Sequence, residues 1–121
     1  MGLDTYAART PDDEELDGED EQAFEAAGIF LCRGFNSGHG DDGSFRGKVY
    51  SHIVEEVTGV SLYAKWIPPD TVEKMADAFE RCDPEAVVRE DASGPGAGEI
   101  RDLAKFFRIC ADRGLGLIGW Y

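Results

Sequence analysis

Apolar residues recur at helical spacing in three segments of the chain, which predicts three amphipathic helices. These segments are residues 46–58, a stretch that begins at Asp70, and residues 99–113. Side chains three and four positions apart lie on one face of an α-helix, so each segment is expected to pack that face into a core. Asp70 and Glu73 have the spacing of an acidic capping box, which predicts a helix N-terminus at Asp70. The predicted core faces are Val49, Tyr50, Ile53, Val54 and Val57; Val72, Met75, Ala76 and Phe79; and Ile100, Leu103, Ala104, Phe107, Cys110 and Ala111.

Three shorter segments have the patterns of β-strands. Residues 2–8 alternate in side-chain type, residues 29–35 open with a compact apolar run, and residues 115–121 carry apolar side chains on both faces. Alternation is typical of a half-buried strand, and apolar residues on both faces are typical of a strand covered on both sides. We therefore expect an α+β fold, with about three short strands packed against three or four helices. The first and last strands are expected to lie side by side.

The remaining segments are expected to form polar or flexible parts of one domain that spans residues 1–121. An acidic segment at 10–27 is predicted to contain a helix that ends at Gly28, where a left-handed turn suits glycine. Gly18 weakens the middle of that helix, so two short helical pieces are equally compatible with the pattern. Residues 36–44 and 91–98 are rich in glycine and are predicted to be flexible loops.

The charge of the chain is concentrated near its start. The formal net charge is −13; residues 1–25 hold ten acids and one base, a net of −9, and the remaining fifteen acids and eleven bases give −4. Nucleic-acid binding requires a track of basic residues that releases counterions, and anionic membranes attract basic segments for the same reason. The chain has no such track, so neither partner is predicted. A basic protein partner is compatible with this charge, although a net charge first serves solubility.

Cysteine usage favours a reducing compartment. Cys32, Cys82 and Cys110 make an odd number, and no C-x-x-C pair occurs. Disulfide frameworks of secreted proteins usually have an even and denser set. The first residues also lack the basic and apolar regions of a secretory signal, and no apolar run is long enough to span a bilayer. The predicted location is the cytoplasm.

The glycine-rich segment before the first amphipathic helix offers a candidate site for a small anion. Residues 38–43 match G-x-G-x-x-G, but Asp41 and its neighbour would face a pyrophosphate with two negative charges, so a plain surface loop is favoured. Residues 43–48 depart from the phosphate-binding P-loop in spacing. Free N–H groups and two cations at a helix N-terminus would still suit a small anion. The candidate ligand-binding residues are Ser44, Arg46, Gly47 and Lys48, with His39 and Asp41 in support; alternatively, Arg46 and Lys48 are solvated or pair with nearby acids.

No metal site, no cofactor and no catalytic group is predicted. His39, Asp41, Asp42 and His52 match no established ligand spacing for a metal. The chain has no G-x-S-x-G motif and no cysteine with a nearby histidine signature for nucleophilic catalysis. Enzyme activity is therefore uncertain, with a non-enzymatic role favoured.

Two features suggest surfaces for a protein partner. Asp12, Asp13, Glu14 and Glu15 form the densest run of acids, and Trp66 precedes the rigid pair Pro68-Pro69. Large aromatics beside rigid segments occur at interfaces, but Trp66 would equally serve to cap the core. The first functional hypothesis is a non-enzymatic binding or regulatory protein for a basic partner. The alternatives are a small-anion or metal binder, or an enzyme, that uses residues 36–48, and a self-associating structural module.

Three stretches of the sequence resemble a known family. They are MGLDTYA at the start, SFRGKVYSHIVEEVTGVSLYAKWIPP in the middle and FFRICADRGLGLIGWY at the end. Together they resemble a family of small bacterial proteins that carry a domain of unknown function. The resemblance covers most of the chain except residues 84–98. It implies a bacterial origin and transfers no functional residue.

Overall fold

The protein has an α+β fold, as the sequence predicts. The computed structural model describes residues 4–8, 18–29, 44–45, 47–83, 85 and 97–120. The helices with described bounds are α1 (Gly18–Ala26), α2 (Gly47–Thr58), α3 (Pro69–Arg81) and α4 (Ala97–Asp112). The strands are β1 (Asp4–Ala8), β2 (Ser44–Phe45) and β3 (Gly116–Trp120).

The first and last strands form the main pair of the sheet. β1 and β3 are antiparallel and pair along five residues, from Asp4 opposite Trp120 to Ala8 opposite Gly116. The short strand β2 lies on the other side of β1, so the order is β2-β1-β3. The predicted closure of the two ends of the chain into one sheet is confirmed.

The third strand differs from the predicted one. Ile29 is buried but lies outside any strand, and the rest of the predicted strand 29–35 lies outside the described residues. The third described strand is β2, so the prediction of a loop that extends through Ser44 is wrong at its last residue. A strand of two residues is too short to produce an alternating pattern, so it gives no sequence signal.

The connector before α3 extends the sheet beyond β3. Ile67 forms an isolated antiparallel bridge with Leu117, in which each main-chain N–H donates to the other residue's carbonyl at 2.8 Å. Gly116, next to this bridge, lies against the ring of Trp66 and the carbonyl of Ile67. Residues 115–118 are buried, which confirms the prediction of a strand covered on both faces.

The helices supply most of the core, with α3 and α4 in the most extensive contact. Phenylalanine rings link the helices: Phe24 of α1 lies 4.8 Å from Phe106 of α4, and Phe79 of α3 lies 5.4 Å from Phe107, measured between ring centroids. The predicted faces of α3 and α4 are confirmed at Val72, Met75, Ala76, Phe79, Ile100, Leu103, Phe107 and Cys110, and that of α2 at Tyr50, Ile53 and Val54.

The glycines predict the helix C-termini better than the capping box at Asp70 predicts the N-terminus of α3. Gly28 and Gly114 have φ of +67° and +69°, the left-handed conformation that favours glycine after a helix. At the other end, α3 begins at Pro69, and its cap residue Pro68 makes no side-chain cap hydrogen bond. The predicted N-cap at Asp70 is therefore wrong by two residues. Proline at the first helical position has a fixed φ and needs no N–H, so it begins the helix without a side-chain cap.

Arg108 of α4 joins two carboxylates of α3 at the surface. Its Nη2 lies 2.5 Å from Asp77 Oδ1 and 2.7 Å from Glu80 Oε1, and its Nε donates to Glu80 Oε2 at 2.9 Å. The guanidinium hydrogen bonds lower the pKa of Glu80, and the two carboxylates raise the pKa of Arg108. The two helices are thereby tied together outside the core.

We expect Arg108→Met to lower the free energy of unfolding at neutral pH by about 1 kcal/mol, since the groups are partly solvated. Because the folded-state pKa of Glu80 is lowered, this contribution is present above the unfolded carboxyl pKa. The stabilising contribution is lost as the pH falls through the folded-state pKa of Glu80. Urea unfolding of parent and variant across acidic pH measures the difference. When both proteins also carry Glu80→Gln, this titrating carboxyl is absent, so the effect of Arg108→Met on the free energy of unfolding should vary less with pH. If the difference in unfolding free energy between the parent and Arg108→Met does not narrow on acidification, the ion pair of Arg108 with Glu80 does not stabilise the fold as described.

Candidate functional site

The described part of the predicted anion site lies where β2 leads into α2. Ser44 is the first residue of β2, and Gly47 and Lys48 begin α2, with Gly47 buried. His39, Asp41 and Arg46 lie outside the described residues. The structure therefore brings together, at the level of the backbone, three of the six residues that the sequence suggested.

A buried hydroxyl that the sequence did not indicate lies beside this connection. Thr5 stands opposite Phe45 in the sheet and is 1% exposed. Its Oγ1 has no hydrogen-bond partner among the described residues. A hydroxyl buried without a partner costs about 1–3 kcal/mol, so its presence needs an explanation. The alternation of residues 2–8 predicted a strand at Thr5, but a threonine in a strand carries no signal of unmet hydrogen bonding.

The described part of the acidic segment is the helix α1, which has a buried face and an exposed face. Asp20 and Phe24 are fully buried, whereas Glu19 and Glu25 are exposed. Residues 20 and 24 are one helical turn apart, so they share the face that packs on the body. The proposed partner residues Asp12, Asp13, Glu14 and Glu15 lie outside the described residues.

A buried ion pair fastens α1 to the end of α4. Arg113, directly after α4, donates a hydrogen bond from Nε to Oδ1 of Asp20, and its Nη2 lies 3.8 Å from Oε2 of Glu19. The Asp20 side chain is fully buried, and the Arg113 side chain is 31% exposed. A buried carboxylate is stable only with compensating partners. The two residues are 93 positions apart in sequence, so no local pattern could reveal the pair.

Trp66 is partly buried, with its ring against Gly116. The neighbouring Tyr63 is 43% exposed and is a large apolar side chain at the surface of the described structure. Both belong to the connector between α2 and α3. The assignment of Trp66 to a partner interface stays a prediction.

Both described thiols have a raised pKa. Burial, with a further contribution from Asp20, raises the pKa of Cys110 well above its ordinary value. Burial and the nearby Asp83 raise the pKa of Cys82, and its Sγ contacts the carbonyl oxygen of Phe79 at 3.1 Å. A nucleophilic cysteine requires a lowered pKa, so the raised pKa of each of these two thiols disfavours a nucleophilic role. Cys32 lies outside the described residues.

Metal-ligating side chains do not converge within the described ranges. Among those residues, no group of three His, Cys, Asp or Glu side chains is arranged to hold a metal ion. His52 is exposed, and its Nε2 lies 4.0 Å from Glu56 Oε2. None of the helices in the described part of the chain combines the length and apolar character needed to cross a bilayer.

Comparisons with known proteins add no information about the function, so the candidate sites depend on the geometry alone. No family model, no curated protein and no solved structure matches the chain. The described residues offer two candidates for a binding surface: the anchored acidic helix α1, and the start of α2.

Proposed function

We propose that this chain is a non-enzymatic binding or regulatory protein of the bacterial cytoplasm that captures a basic protein partner through residues 12–25. The partner would contact the segment through lysine and arginine side chains. Nucleic acids and anionic membranes fit this surface poorly, because like charges repel and no basic track offsets them.

The anchoring of α1 is the observation that carries this proposal. Asp20 and Phe24 attach the helix to the body, through Arg113 and Phe106 respectively. Glu19 and Glu25 remain on the exposed side, with the Glu19 side chain 87% exposed. The acidic helix α1, which its own buried face holds in place, loses less conformational entropy on association than a free chain does, and this favours its use in recognition.

The charge distribution supports the same surface. Residues 1–25 carry a net charge of −9 out of −13, so most of the field of the protein originates there. Such a field steers a basic partner during encounter and weakens as salt is added. The exposed acids Glu55, Glu56, Asp70 and Glu73 lie on α2 and α3 and give a comparison surface within the same molecule.

The proposal predicts that neutralising the dense acidic run weakens binding to a lysine homopeptide. The variant carries Asp12→Asn, Asp13→Asn, Glu14→Gln and Glu15→Gln. Four charge pairs with lysines of the peptide, at about 0.3–0.5 kcal/mol each, amount to roughly a tenfold loss of affinity at low salt. Isothermal titration of the full chain with the peptide, at two salt concentrations, measures the affinity and its salt dependence.

A matched control separates a defined surface from net charge alone. The control variant carries Glu55→Gln, Glu56→Gln, Asp70→Asn and Glu73→Gln, which changes the net charge by the same amount. We expect its affinity for the peptide to stay within about twofold of the parent, because the altered charges lie on other helices. Equal losses in the two variants would show binding through bulk charge and would refute residues 12–25 as the partner surface.

A further inference from the structure

The helix α1 is held to the rest of the protein mainly through two of its side chains. Among the side chains of α1 that the structure describes, only Asp20 and Phe24 are buried. Asp20 accepts a hydrogen bond from Arg113, and the ring of Phe24 lies 4.8 Å from that of Phe106, measured between centroids. A helix of nine residues is not stable by itself in water, so α1 keeps its helical form because it packs on the body.

These two contacts place α1 over the fully buried Cys110. Phe106, Cys110 and Arg113 follow one another at helical spacing on one face of α4, and the Arg113 N–H continues the helical turn by donating to the carbonyl of residue 109 at 3.0 Å. Asp20 and Phe24 are also one turn apart, so Cys110 lies between the two points at which α1 is attached. Burial is the first cause of the raised pKa of Cys110 and the charge of Asp20 is the second, which agrees with a carboxylate close to the thiol.

The contacts that join the other main elements do not involve α1. α3 and α4 pack on each other through Phe79 and Phe107 and through the ion pairs of Arg108, and β1 pairs with β3 along its whole length. A glycine stands at each end of α1: Gly18 begins the helix, and Gly28 lies just past its end with φ of +67°. Glycine gives the main chain wide conformational freedom, so both ends can act as hinges.

We infer that α1 is a lid over Cys110, and that this lid opens as a unit while the sheet and the pair of helices α3 and α4 stay folded. In the closed form, Asp20 holds Arg113 and the thiol is shut off from water. In the open form, water solvates the carboxylate, the guanidinium and the thiol separately. Opening of one helix requires less free energy than unfolding of the domain, because only the contacts of that helix are lost. The position of the acidic helix therefore sets the access to Cys110, and this inference does not depend on the proposed function.

Alkylation of the native full-length chain with N-ethylmaleimide tests the inference. Trypsin cleaves after lysine and arginine and so places Cys32, Cys82 and Cys110 in three different peptides, in which mass spectrometry follows each thiol separately. We expect the alkylation rate of Cys110 to stay constant at low urea concentrations, because opening of a lid exposes little surface to the denaturant. If this rate rises from the lowest urea concentrations in proportion to the equilibrium constant of global unfolding, Cys110 is reached only through the unfolded state and the inference is overturned.

Two phenylalanine variants separate the opening of the lid from the stability of the whole domain. Phe24→Leu weakens the packing of α1 on Phe106, so the alkylation rate of Cys110 without urea should rise about tenfold. Phe79→Leu is the matched control, because Phe79 is equally buried but packs on Phe107 of α4. It lowers the stability of the domain and leaves the docking of α1 intact, so the rate should stay within about twofold of the parent. Equal acceleration in the two variants, or an unchanged rate in Phe24→Leu, would show that α1 does not control access to Cys110.

Discussion

Gly116→Val is expected to lower the free energy of unfolding by about 3 kcal/mol or more, because the site has no room for a side chain. A Cβ atom at Gly116 would fall 2.5 Å from Cη2 and 2.8 Å from Cζ2 of Trp66, and it would also overlap the carbonyl oxygen of Ile67. Contacts this short do not occur between real atoms, so the neighbours must move.

Neither neighbour can move cheaply. The carbonyl of Ile67 accepts the Leu117 N–H at 2.8 Å in the bridge that joins the connector to β3, so its displacement breaks main-chain hydrogen bonds. Trp66 is partly buried, and its ring would have to leave the surface of the sheet. The damage should therefore extend to the junction of β3 with the segment that leads into α3.

Urea unfolding of the variant measures the loss, and a second glycine provides the control. Gly98 lies in α4 and is exposed, with no atom within 4 Å of a Cβ placed there. Gly98→Ala should raise stability by up to about 1 kcal/mol through helix propensity. If Gly116→Val unfolds within 1 kcal/mol of the parent, the packing of Trp66 and Ile67 over β3 is not as described.

The pattern of apolar residues was sufficient to predict the features of the fold that depend on local periodicity. The core faces of α3 and α4 follow from residues such as Val72, Phe79 and Leu103, because a helix repeats its environment every three or four positions. That β1 and β3 lie side by side was also predictable, since two short strands at the ends of the chain need partners for their main-chain groups; their antiparallel orientation came only from the structure.

Features set by contacts between distant residues could not be predicted. Gly116 is required by Trp66, fifty positions earlier, and no local signal marks it as a place of close approach. β2 is too short to show alternation. For the candidate anion site, the sequence located the start of α2, but the nearby Thr5 emerged only from the register of β1 against β2.

The pairing of Asp20 with Arg113 leads to the second large effect. Arg113→Met is expected to lower the free energy of unfolding by about 2–4 kcal/mol, because it leaves the buried Asp20 carboxylate without its guanidinium. Glu19 contributes little to the loss, since its side chain is mostly solvated. Arg101→Met is the control: Arg101 Nη2 lies 3.9 Å from Glu85 Oε1 with both side chains exposed, so a change within about 0.5 kcal/mol is expected.

The location of the pair predicts where the variant opens first. Arg113 follows α4, whose end is fixed by hydrogen bonds from Gly114 N–H to the Ala111 carbonyl and from Leu115 N–H to the Cys110 carbonyl. These two hydrogen bonds join main-chain atoms and do not involve the Arg113 side chain, whereas α1 loses its attachment through Asp20. Amide hydrogen exchange should therefore accelerate in α1 well before α4. Adding Asp20→Asn to the Arg113→Met variant removes the buried charge that has lost its guanidinium and should recover part of the stability. Uniform acceleration in both helices, or no recovery in the double variant, would show that the ion pair does not anchor α1.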